Sequence, residues 1–399
     1  MKILQLTKKV PWPLVDGETI ALHMLSKGLV ETGSEVHLLS MNPSKQRVDP
    51  EKVREDLDHY GSIEIVDVDN SIKPFGAFKN LFSKKSYHID RFDSSDFHKA
   101  LNHILSEEYY DLILFESIYM APYLNTVKSF KQGQLVLRSH NVESKIWERI
   151  VAETNTFVKR QYLRYLQKKL MNFENSQVTY FDFIASVSDV DNQIFKNIDS
   201  DIECIHLPIG IDLRLYEGKK NQVTGELNIG FIGSLDWQPN VNGLKWFFTE
   251  VWPNIHSDNI ILSVAGRNPS EEIYDYEGDR IRILGEIDCA RSFMRDMDLM
   301  IVPLFSGSGT RVKIIESMAC KTAVLSTSIG LEGIDIKDGV HCLIAENATQ
   351  FIKQIEQANS DKQKLLELAD NAFEYVKKNY DYKEVAASFK QYLNDRLID

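Results

Sequence analysis

The sequence has few cysteines and no long apolar run, and each absence excludes a class of protein. Its four cysteines lie far apart and form no C-x-x-C pair, which argues against a disulfide framework or a zinc site. No stretch reaches the roughly 18–20 apolar residues that a membrane-spanning helix needs. The first residues, MKILQLTKKVPWP, contain too short an apolar stretch for a secretory signal peptide, so we expect a cytoplasmic protein.

Positive charge is also in deficit. The chain has 46 Lys and Arg against 58 Asp and Glu, a net charge of −12, which disfavours nonspecific binding to nucleic acid. We therefore expect no nucleic-acid partner. At 399 residues, 43% of them hydrophobic, the chain exceeds the size at which one core keeps growing, and two domains are expected.

Short apolar runs alternate with amphipathic stretches from end to end, a pattern typical of βαβ units and parallel sheets. Each run is too short for a helix and is bounded by polar or turn residues. Two consecutive doubly wound sheets are predicted. Their strands fall at residues 2–6, 35–39, 63–68, 111–115, 134–138, 183–188 and 202–207, and then at 227–233, 260–266, 280–284, 298–304, 323–328 and 341–345.

The alternation breaks at LPIGID, residues 207–212, and at the polar stretch 215–226, which together are the best candidate for an interdomain linker. We predict a first Rossmann-like domain over residues 1–208 and a second over residues 209–379. Residues 380–399 are predicted to form a helix that packs back on the first domain. Within the first domain, residues 142–175 carry the pattern of one long helix.

The strongest motif is PLFSGSGTRVKIIESMA, residues 303–319, which indicates a strand, a glycine loop and a helix that starts near Thr310. Thr310 fits the N-cap position. Glycines let a ligand approach the backbone, and a helix start attracts phosphate through its free N–H groups. Cationic side chains follow, and an arginine fork suits phosphate well. The candidate ligands of a phosphate group are Gly307, Gly309, Thr310, Arg311 and Lys313.

Glu316 stands in the apolar half of this motif, where a carboxylate needs a partner because burying it alone is costly. Ribose hydroxyls would supply hydrogen-bond donors. An ordinary strand–loop–helix with a Glu–Arg or Glu–Lys pair on its surface would explain the pattern as well. The segment lacks G-x-x-x-x-G-K-[ST], so it is not an ATP-type phosphate loop.

This segment resembles the nucleotide-sugar site of the retaining glycosyltransferases of family four, in the branch with the motif G-S-G-T-R-x-K-x-x-E. The resemblance implies the GT-B fold, two Rossmann-like domains facing a central cleft, and a nucleotide-diphosphate sugar as donor. It implies that Glu316 holds the ribose hydroxyls. Ser308 stands where the family usually has a first glutamate, which leaves the choice of donor sugar open.

The resemblance covers nearly the whole chain, through residues 15–39, 138–144, 186–195, 207–212, 230–247 and 264–269. It implies that Gly17, Gly233 and Ser234 lie near the donor. Many relatives carry an arginine and a lysine in the loop that here reads SLDWQPN, residues 234–240, and this loop has neither. The cations left for the diphosphate are Arg267, Arg311 and Lys313.

Arg311 and Lys313 cannot both reach one anion, because residues two apart on a helix diverge by about 200°. We choose Arg311 as the catalytic cation. His140 is the second catalytic candidate, since it follows a predicted strand and imidazole can donate to a sugar hydroxyl or a leaving phosphate. A lone histidine is as a rule a capping or core residue, but RSHNVES, residues 138–144, resembles the family's H-N-V-E stretch. Glu143 in that stretch fits a helix-capping role.

Several D-x-D triplets occur, and the two aspartates of such a triplet can bind a metal ion. With 58 acidic residues they arise readily by chance, so we expect neither a metal nor another cofactor. Two segments, residues 72–87 and 158–169, interleave basic and aromatic side chains. Such a face can bind anionic lipid or can simply be exposed to solvent. Peripheral contact with the inner face of the membrane is therefore one of two equally favoured interpretations.

The sequence thus predicts a glycosyltransferase that acts, by resemblance, on a saccharide or lipid-linked saccharide acceptor in surface polysaccharide assembly, with retained configuration. A nucleotide-sugar epimerase of the same fold is the first alternative. A nicotinamide-dependent oxidoreductase is less favoured, because KKVPWP stands after the first strand in place of G-x-G-x-x-G. A non-catalytic sugar-binding protein is the remaining alternative.

Overall fold

The computed structural model describes residues 1–14, 16–73, 76, 80–83, 85–216, 225–306 and 309–398. The chain forms two compact units. Unit 1 contains Met1–Gly210 and the chain from Tyr382 onward, and unit 2 contains Ile211–Asp381. Within the described ranges, no helix is long and apolar enough to cross a membrane.

Unit 1 is built on a parallel sheet whose strands, as far as the chain is described, lie in the order β3-β2-β1-β4-β5-β6-β7. Every pair is parallel, with Leu4 of β1 aligned with His37 of β2 and with Ile113 of β4. The strands are β1 Lys2–Thr7, β2 Glu35–Pro43, β3 Ser62–Val68, β4 Leu112–Phe115, β5 Gln134–Ser139, β6 Phe183–Ser186 and β7 Cys204–His206.

Unit 2 repeats this plan with the described strand order β10-β9-β8-β11-β12-β13, again entirely parallel. Both sheets therefore have the doubly wound 3-2-1-4-5-6 arrangement. The predicted fold class of two Rossmann-like parallel sheets is confirmed. The strands are β8 Leu227–Ile232, β9 Ile260–Ala265, β10 Ile281–Gly285, β11 Leu299–Val302, β12 Ala323–Ser326 and β13 Leu343–Ile344.

Apolar side chains cover both faces of each sheet, which is why the strands read as continuous apolar runs. In β1, Ile3 belongs to one core cluster while Leu4 and Leu6 belong to the cluster on the other face. In β8, Leu227, Ile229 and Phe231 lie in one cluster, and the half-buried Ile232 packs against the second.

The helices lie between the strands, as the alternating pattern predicts. They are α1 Gly17–Glu31, α2 Pro50–Val53, α3 Tyr87–Asp90, α4 Ser95–Glu107, α5 Leu124–Phe130, α6 Glu143–Glu153, α7 Phe157–Val178, α8 Asp189–Ile198, α9 Gln238–Trp246, α10 Glu271–Tyr274, α11 Ala290–Asp296, α12 Val312–Ala319, α13 Ala348–Ser360, α14 Lys362–Tyr380 and α15 Tyr382–Ile398. Short 3-10 or π turns occur at Ser44–Gln46, Glu55–Leu57, Ile118–Tyr123, Leu213–Leu215, Phe247–Val251 and Trp252–Asn254.

The prediction of one long helix over residues 142–175 is wrong. The chain forms α6 and α7 with a break between them at residues 154–156, where the sequence reads Thr-Asn-Thr. The Thr154 hydroxyl donates to the Ile150 carbonyl at 2.7 Å, which ends α6. Side chains of this kind compete for backbone groups, and the apolar periodicity alone does not show the break.

The last helix, α15, packs against α1 in unit 1. Gly28 of α1 makes the close approach possible, because a Cβ at this position would lie 2.6 Å from Ala386 Cβ and 2.7 Å from the Tyr382 carbonyl oxygen. The Tyr382 hydroxyl donates to Glu31 at 2.6 Å, and Phe389 enters the core of the unit.

Candidate functional site

The strand order in each sheet reverses beside its first strand, and ligands of such sheets bind beyond the carboxyl ends of the strands at that point. In unit 1 the reversal lies between β1 and β4, and in unit 2 it lies between β8 and β11. The predicted site residues of unit 2 follow the ends of β8, β9 and β11. Gly17 and His140 lie at the corresponding edge of unit 1, at the start of α1 and after β5.

Glycines bring the strand ends of unit 2 close together. A Cβ on Gly233, directly after β8, would lie 2.7 Å from Asn240 Nδ2 and 3.1 Å from Lys313 Nζ. A Cβ on Gly266, directly after β9, would lie 1.8 Å from the Gly233 carbonyl oxygen. Real Cβ atoms do not approach so closely, so side chains are excluded at both positions and backbone lines this edge of the sheet.

Lys313 reaches from α12 to the end of β8. Its ammonium donates to the Ile232 carbonyl at 2.9 Å and to Asn240 Oδ1 at 3.1 Å, and it lies 4.7 Å from the centre of the Phe231 ring. Burial of the ammonium, and then the charge of Arg311, lower the pKa of Lys313 to about 7. Among the described residues no carboxylate pairs with it. One of its three N–H donors is left for a ligand.

Lys313 supplies a positive charge to the loop of residues 234–240, which contains no Lys or Arg. Asn240 belongs to that loop, and its contact with Lys313 places an ammonium there from another element. The sequence pattern does not reveal this, because Lys313 and Asn240 are 73 residues apart.

Arg311 lies at the N-cap position of α12, and its guanidinium donates to the Gly309 carbonyl. The prediction that Thr310 caps the helix is wrong, because α12 begins at Val312 and has no side-chain capping bond. Gly309 has a φ of +80°, a left-handed conformation that favours glycine. The chain enters the helix after this turn, two residues later than the sequence pattern predicts. The candidates Gly307 and Ser308 lie outside the described residues.

Glu316 lies on the second turn of α12, and one of its carboxylate oxygens accepts a hydrogen bond. The Tyr216 hydroxyl donates to Glu316 Oε1 at 2.7 Å. Burial raises the pKa of Glu316, while the Tyr216 hydrogen bond and the charge of Arg291 lower it in part. No group of the described chain donates to Oε2, so that oxygen can accept from a ligand hydroxyl.

The two remaining candidates of unit 2 lie in the loops after β8 and β9. Ser234 donates to Asp236 Oδ1 at 2.6 Å. Arg267 is exposed, and its carbonyl accepts from the Leu235 backbone N–H at 2.8 Å. The structure thus gathers Gly233, Ser234, Arg267 and Lys313 around adjacent strand ends, with Arg311 and Glu316 on the same helix as Lys313.

In unit 1, His140 follows β5 and bonds to a buried carboxylate. Its Nε2 lies 2.9 Å from Glu116 Oε2, and Glu116, directly after β4, is fully buried. Its Nδ1 is buried without a hydrogen-bond partner in the described chain. A buried polar atom without a partner costs about 1–3 kcal/mol, so a ligand that bonds to Nδ1 would recover part of that cost.

Two other side chains bind Glu116. Gln5 donates to its Oε1 at 2.6 Å, and Arg138, also fully buried, lies 3.5 Å from its Oε2. Arg138 donates in addition to the Ala21 carbonyl of α1 at 2.9 Å. Glu116 was not predicted from the sequence, although its place directly after a buried strand is a signal that could have identified it.

The start of α1 carries a second charged network. Asp16 is the N-cap residue and shares a reciprocal capping pair with Thr19, which leaves Gly17 as the first helical residue. Lys9 lies 2.8 Å from Asp16 and 3.1 Å from Glu18, and Lys8 lies 3.2 Å from Glu18. Burial favours the neutral form of Glu18, but the charges of Lys8 and Lys9 outweigh it and lower the pKa to about 2.

The two networks are joined at α1, because Arg138 lies within 3.5 Å of Glu116 and also donates to the Ala21 carbonyl of that helix at 2.9 Å. The structure therefore brings the Gly17 helix start and His140 together. Lys8 and Glu18 were also not predicted as site residues from the sequence. The pair Lys8–Lys9 directly after β1 was the available signal, because charged residues seldom follow a buried strand into a core.

Glu143 does not cap α6, so that expectation is wrong. The capping acceptor is Glu174 of α7, which takes the backbone N–H groups of Glu143 and Ser144 at 2.9 and 3.1 Å. The Glu143 side chain instead accepts from the Tyr119 hydroxyl at 3.2 Å. Burial raises the pKa of Glu143, and the charge of Lys8 offsets this in part.

No group of three or more His, Cys, Asp or Glu side chains able to hold a metal ion occurs in the described part of the chain. The D-x-D triplets do not assemble with one another there. Asp67 pairs with Arg47, and Asp69 pairs with Lys73.

Comparisons with known proteins agree with this architecture. Residues 226–361 match the family described as Glycosyl transferases group 1. A protein of Klebsiella pneumoniae, described as an uncharacterized 44.6 kDa protein in the cps region, is 27% identical over 304 residues, which cover 73% of this chain and 76% of that protein.

Two solved structures show the same fold over nearly the full length. Sucrose-phosphate synthase from Thermosynechococcus elongatus has a TM-score of 0.73 at 14% identity, with 100% of both chains covered. The Anabaena protein HepE in complex with UDP has a TM-score of 0.69 at 14% identity, with 99% of this chain and 100% of that chain covered. HepE is also solved in complex with UDP-glucose, at a TM-score of 0.66, 15% identity and coverage of 99% and 100%.

These likenesses show the two-domain, Rossmann-like GT-B fold. The family match lies in unit 2, over the segment that carries Gly233, Lys313 and Glu316. Together the comparisons support a glycosyl-transfer activity.

Proposed function

We propose that the protein transfers a sugar from a nucleotide-diphosphate sugar to a saccharide or lipid-linked saccharide acceptor, with retention of the anomeric configuration. The observation that carries the proposal is the environment of Lys313, an ammonium without a described counter-ion at the strand edge where such folds bind ligands. A diphosphate supplies the missing anion. The UDP and UDP-glucose complexes of HepE support a nucleotide sugar as donor.

In the proposed reaction the bond between the anomeric carbon and the diphosphate oxygen breaks, and its electron pair stays on the diphosphate. The acceptor hydroxyl oxygen forms the new bond to the anomeric carbon, and its proton passes to the leaving diphosphate. Negative charge therefore develops on the diphosphate as the bond breaks. Preorganised cations and N–H groups that face this charge supply the main stabilisation, and unit 2 offers Lys313, Arg311 and the start of α12.

We assign the donor's ribose to Glu316 and the transferred sugar to His140. Glu316 has an oxygen free for a hydroxyl donor. Because Nε2 of His140 bonds to the Glu116 carboxylate, its Nδ1 is the atom left to accept from a sugar hydroxyl. Gly17 lets the donor approach the backbone at the start of α1, and we assign Gly233, Ser234, Arg267, Gly309 and Thr310 to the donor in unit 2. Gly307 and Ser308 are assigned to it from the sequence motif alone, since they lie outside the described residues.

The acceptor class rests on the Klebsiella relative, whose description places it in a cps region. A role in surface polysaccharide assembly would bring the enzyme to lipid-linked intermediates at the inner face of the membrane. Helix α7 offers a surface for this contact. From Phe157 to Phe173 it carries five basic residues and no acidic one, and Phe157 and Val158 are 65% and 75% exposed.

Co-sedimentation with vesicles tests the membrane contact. We expect binding to vesicles that contain phosphatidylglycerol and little binding to pure phosphatidylcholine, because the exposed Arg164 and Lys168 are attracted to anionic headgroups. Charge reversal of these two residues should abolish binding, whereas reversal of the exposed Lys99 on α4 should not. Equal binding to both vesicle types would refute an electrostatic contact.

The donor assignment is tested by thermal unfolding in the presence of a panel of nucleotide sugars and nucleoside diphosphates. A ligand at a hundred times its dissociation constant stabilises by about 2.7 kcal/mol, which is readily measured. Folded Glu316→Ala should lose most of the shift, and Glu332→Ala, at a half-buried position outside α12, serves as the control. An unchanged shift in folded Glu316→Ala would overturn the assignment.

Turnover then separates transfer from the alternative chemistries. A transferase releases free nucleoside diphosphate at a rate that depends on acceptor. Release of an epimerised sugar without acceptor, or reduction of a nicotinamide cofactor, would refute the proposal.

A further inference from the structure

Tyr216 holds one oxygen of Glu316 and leaves the other free. Its hydroxyl donates to Oε1 at 2.7 Å, across 100 residues of chain, and the tyrosine is only 6% exposed. No group of the described chain donates to Oε2. The two oxygens of one carboxylate therefore have different environments.

The ring of Tyr216 is fixed by its packing. It follows the 3-10 turn Leu213–Leu215 and lies in the apolar cluster that includes Met294 and Ile315. Arg291 lies over the ring, with its guanidinium carbon 5.8 Å from the ring centre. Because the ring cannot rotate away without opening this packing, the hydroxyl is a donor of fixed position.

The bond also fixes which partner gives the proton. Burial, followed by the charge of Glu316, raises the pKa of the Tyr216 phenol, so the hydroxyl stays protonated and donates. The same bond opposes the effect of burial on the pKa of Glu316 and favours the carboxylate, which only accepts.

A free glutamate carboxylate rotates about its last torsion with little preference. A hydrogen bond to Oε1 removes that freedom and fixes the direction of the Oε2 lone pairs. Oε2 can then accept from one hydroxyl of a bound ligand at a defined position, and a ligand that lacks this hydroxyl gains nothing from the arrangement.

We propose that Tyr216 is a positioning residue that orients Glu316 so that Oε2 reads a ribose hydroxyl, and that it thereby sets the selectivity of the donor site for ribonucleotides over deoxyribonucleotides. The inference rests on the proposed function, in which Glu316 binds the ribose of the donor. Tyr216 itself does not touch the nucleotide.

The test compares the wild-type protein with Tyr216→Phe, which keeps the ring and removes only the hydroxyl. Dissociation constants are measured by calorimetry for UDP, GDP and ADP and for their 2′-deoxy and 3′-deoxy counterparts, and the tightest ribonucleotide is taken as reference. A hydrogen bond to a charged group contributes enough that its loss should weaken ribonucleotide binding about tenfold. The deoxy analogue that lacks the hydroxyl read by Oε2 should lose less than twofold, so the selectivity ratio should fall.

A pH series gives a readout that loss of packing would not produce. In Tyr216→Phe the pKa of Glu316 is no longer lowered by the hydroxyl, so the carboxyl protonates at higher pH, and the protonated form is a weaker acceptor. Below pH 7, where Lys313 stays charged, ribonucleotide affinity should therefore rise with pH in both proteins, and in the variant this rise should occur at higher pH than in the wild type.

Glu316→Gln separates this inference from the function on which it rests. If the wild type does not distinguish ribo- from deoxyribonucleotides, the ribose assignment itself is wrong. If Glu316→Gln removes the selectivity and folded Tyr216→Phe retains it, the ribose assignment stands and the role of Tyr216 is refuted. Equal losses for all analogues in Tyr216→Phe would likewise refute it, since they indicate a structural role only.

Discussion

Nε2 of His140 and Oε2 of Glu116 form a 2.9 Å hydrogen bond at the carboxyl ends of β5 and β4. Because Glu116 is fully buried and also bound by Gln5 and Arg138, the imidazole has a fixed orientation. The pair resembles the histidine–carboxylate arrangement by which many enzymes fix the tautomer of a catalytic ring. His140 is therefore held as a functional group would be, which a capping histidine does not require.

Replacement of His140 by alanine should reduce turnover more than donor binding. A positioned group that hydrogen-bonds to the reacting sugar in the transition state contributes about a hundredfold or more to the rate, whereas unit 2 carries the contacts proposed for the nucleotide. We expect kcat to fall at least a hundredfold while the dissociation constant of the nucleoside diphosphate changes less than threefold. The exposed His103 of α4, replaced in the same way, is the control. Near-normal turnover in folded His140→Ala would show that His140 has only a structural role.

Replacement of Arg311 by methionine should impair the leaving group and spare the nucleoside. A charge-assisted contact formed mainly as the bond breaks is worth roughly 3 kcal/mol, about a hundredfold in rate. We expect turnover and diphosphate affinity to fall together, with nucleoside affinity retained. Calorimetry with the nucleoside and its diphosphate checks this, and equal losses for both ligands would show that Arg311 supports the loop and not the phosphate.

Donor affinity should depend on pH through Lys313. Its pKa in the free protein is about 7, because the ammonium is buried and faces Arg311, and a bound diphosphate would raise that value. The lysine is thus charged in both states below pH 7, and affinity is full there. Above pH 7 binding requires uptake of a proton, so affinity should fall by up to tenfold per pH unit.

The diphosphate itself also titrates near neutrality, so the comparison with Lys313→Arg is essential to this measurement. Arginine stays charged over the whole range and should remove the part of the pH dependence that is due to Lys313. Identical profiles for the wild type and Lys313→Arg would show that Lys313 does not contact the diphosphate.

Activity should persist in the presence of a chelator. Lys313, Arg311 and the start of α12 are proposed to balance the diphosphate charge, a task that a metal ion performs in other enzymes. Turnover measured with and without EDTA should differ less than twofold. Loss of activity with EDTA, restored by magnesium or manganese, would overturn the expectation that the reaction needs no metal.

The sheets were predictable because a buried parallel strand has a simple signature. All thirteen apolar runs overlap a strand of the structure, and the alternation with helices predicts parallel order. Helix ends were less predictable. The break at Thr154 and the start of α12 at Val312 depend on single hydrogen bonds and on the conformation of Gly309, which apolar periodicity does not report.

The residues of the candidate site were predictable mainly where a loop motif gathers them in sequence. Contacts between distant segments were not. Glu116 meets His140 across 24 residues, Lys313 meets Asn240 across 73, and Tyr216 meets Glu316 across 100. The first two pairs form because parallel strands bring their carboxyl ends to one edge. Tyr216 instead follows the 3-10 turn Leu213–Leu215, and it meets Glu316 through the packing of that turn. In all three pairs neither residue indicates its partner in the sequence.

The packing of α15 against α1 bears on how the protein is made. Unit 1 is interrupted in the sequence by the whole of unit 2, and α15 supplies the side chains Phe389 and Leu393 that cover the face of its sheet around Phe183. During synthesis, residues 211–381 leave the ribosome as a continuous domain before the segment that completes unit 1 exists. The sheet of unit 1 therefore keeps an apolar face uncovered until residues 211–381 and then α15 have been translated. Synthesis order and folding order are thus opposed for the two units, and unit 1 is the part that exposes an apolar face while the chain is growing.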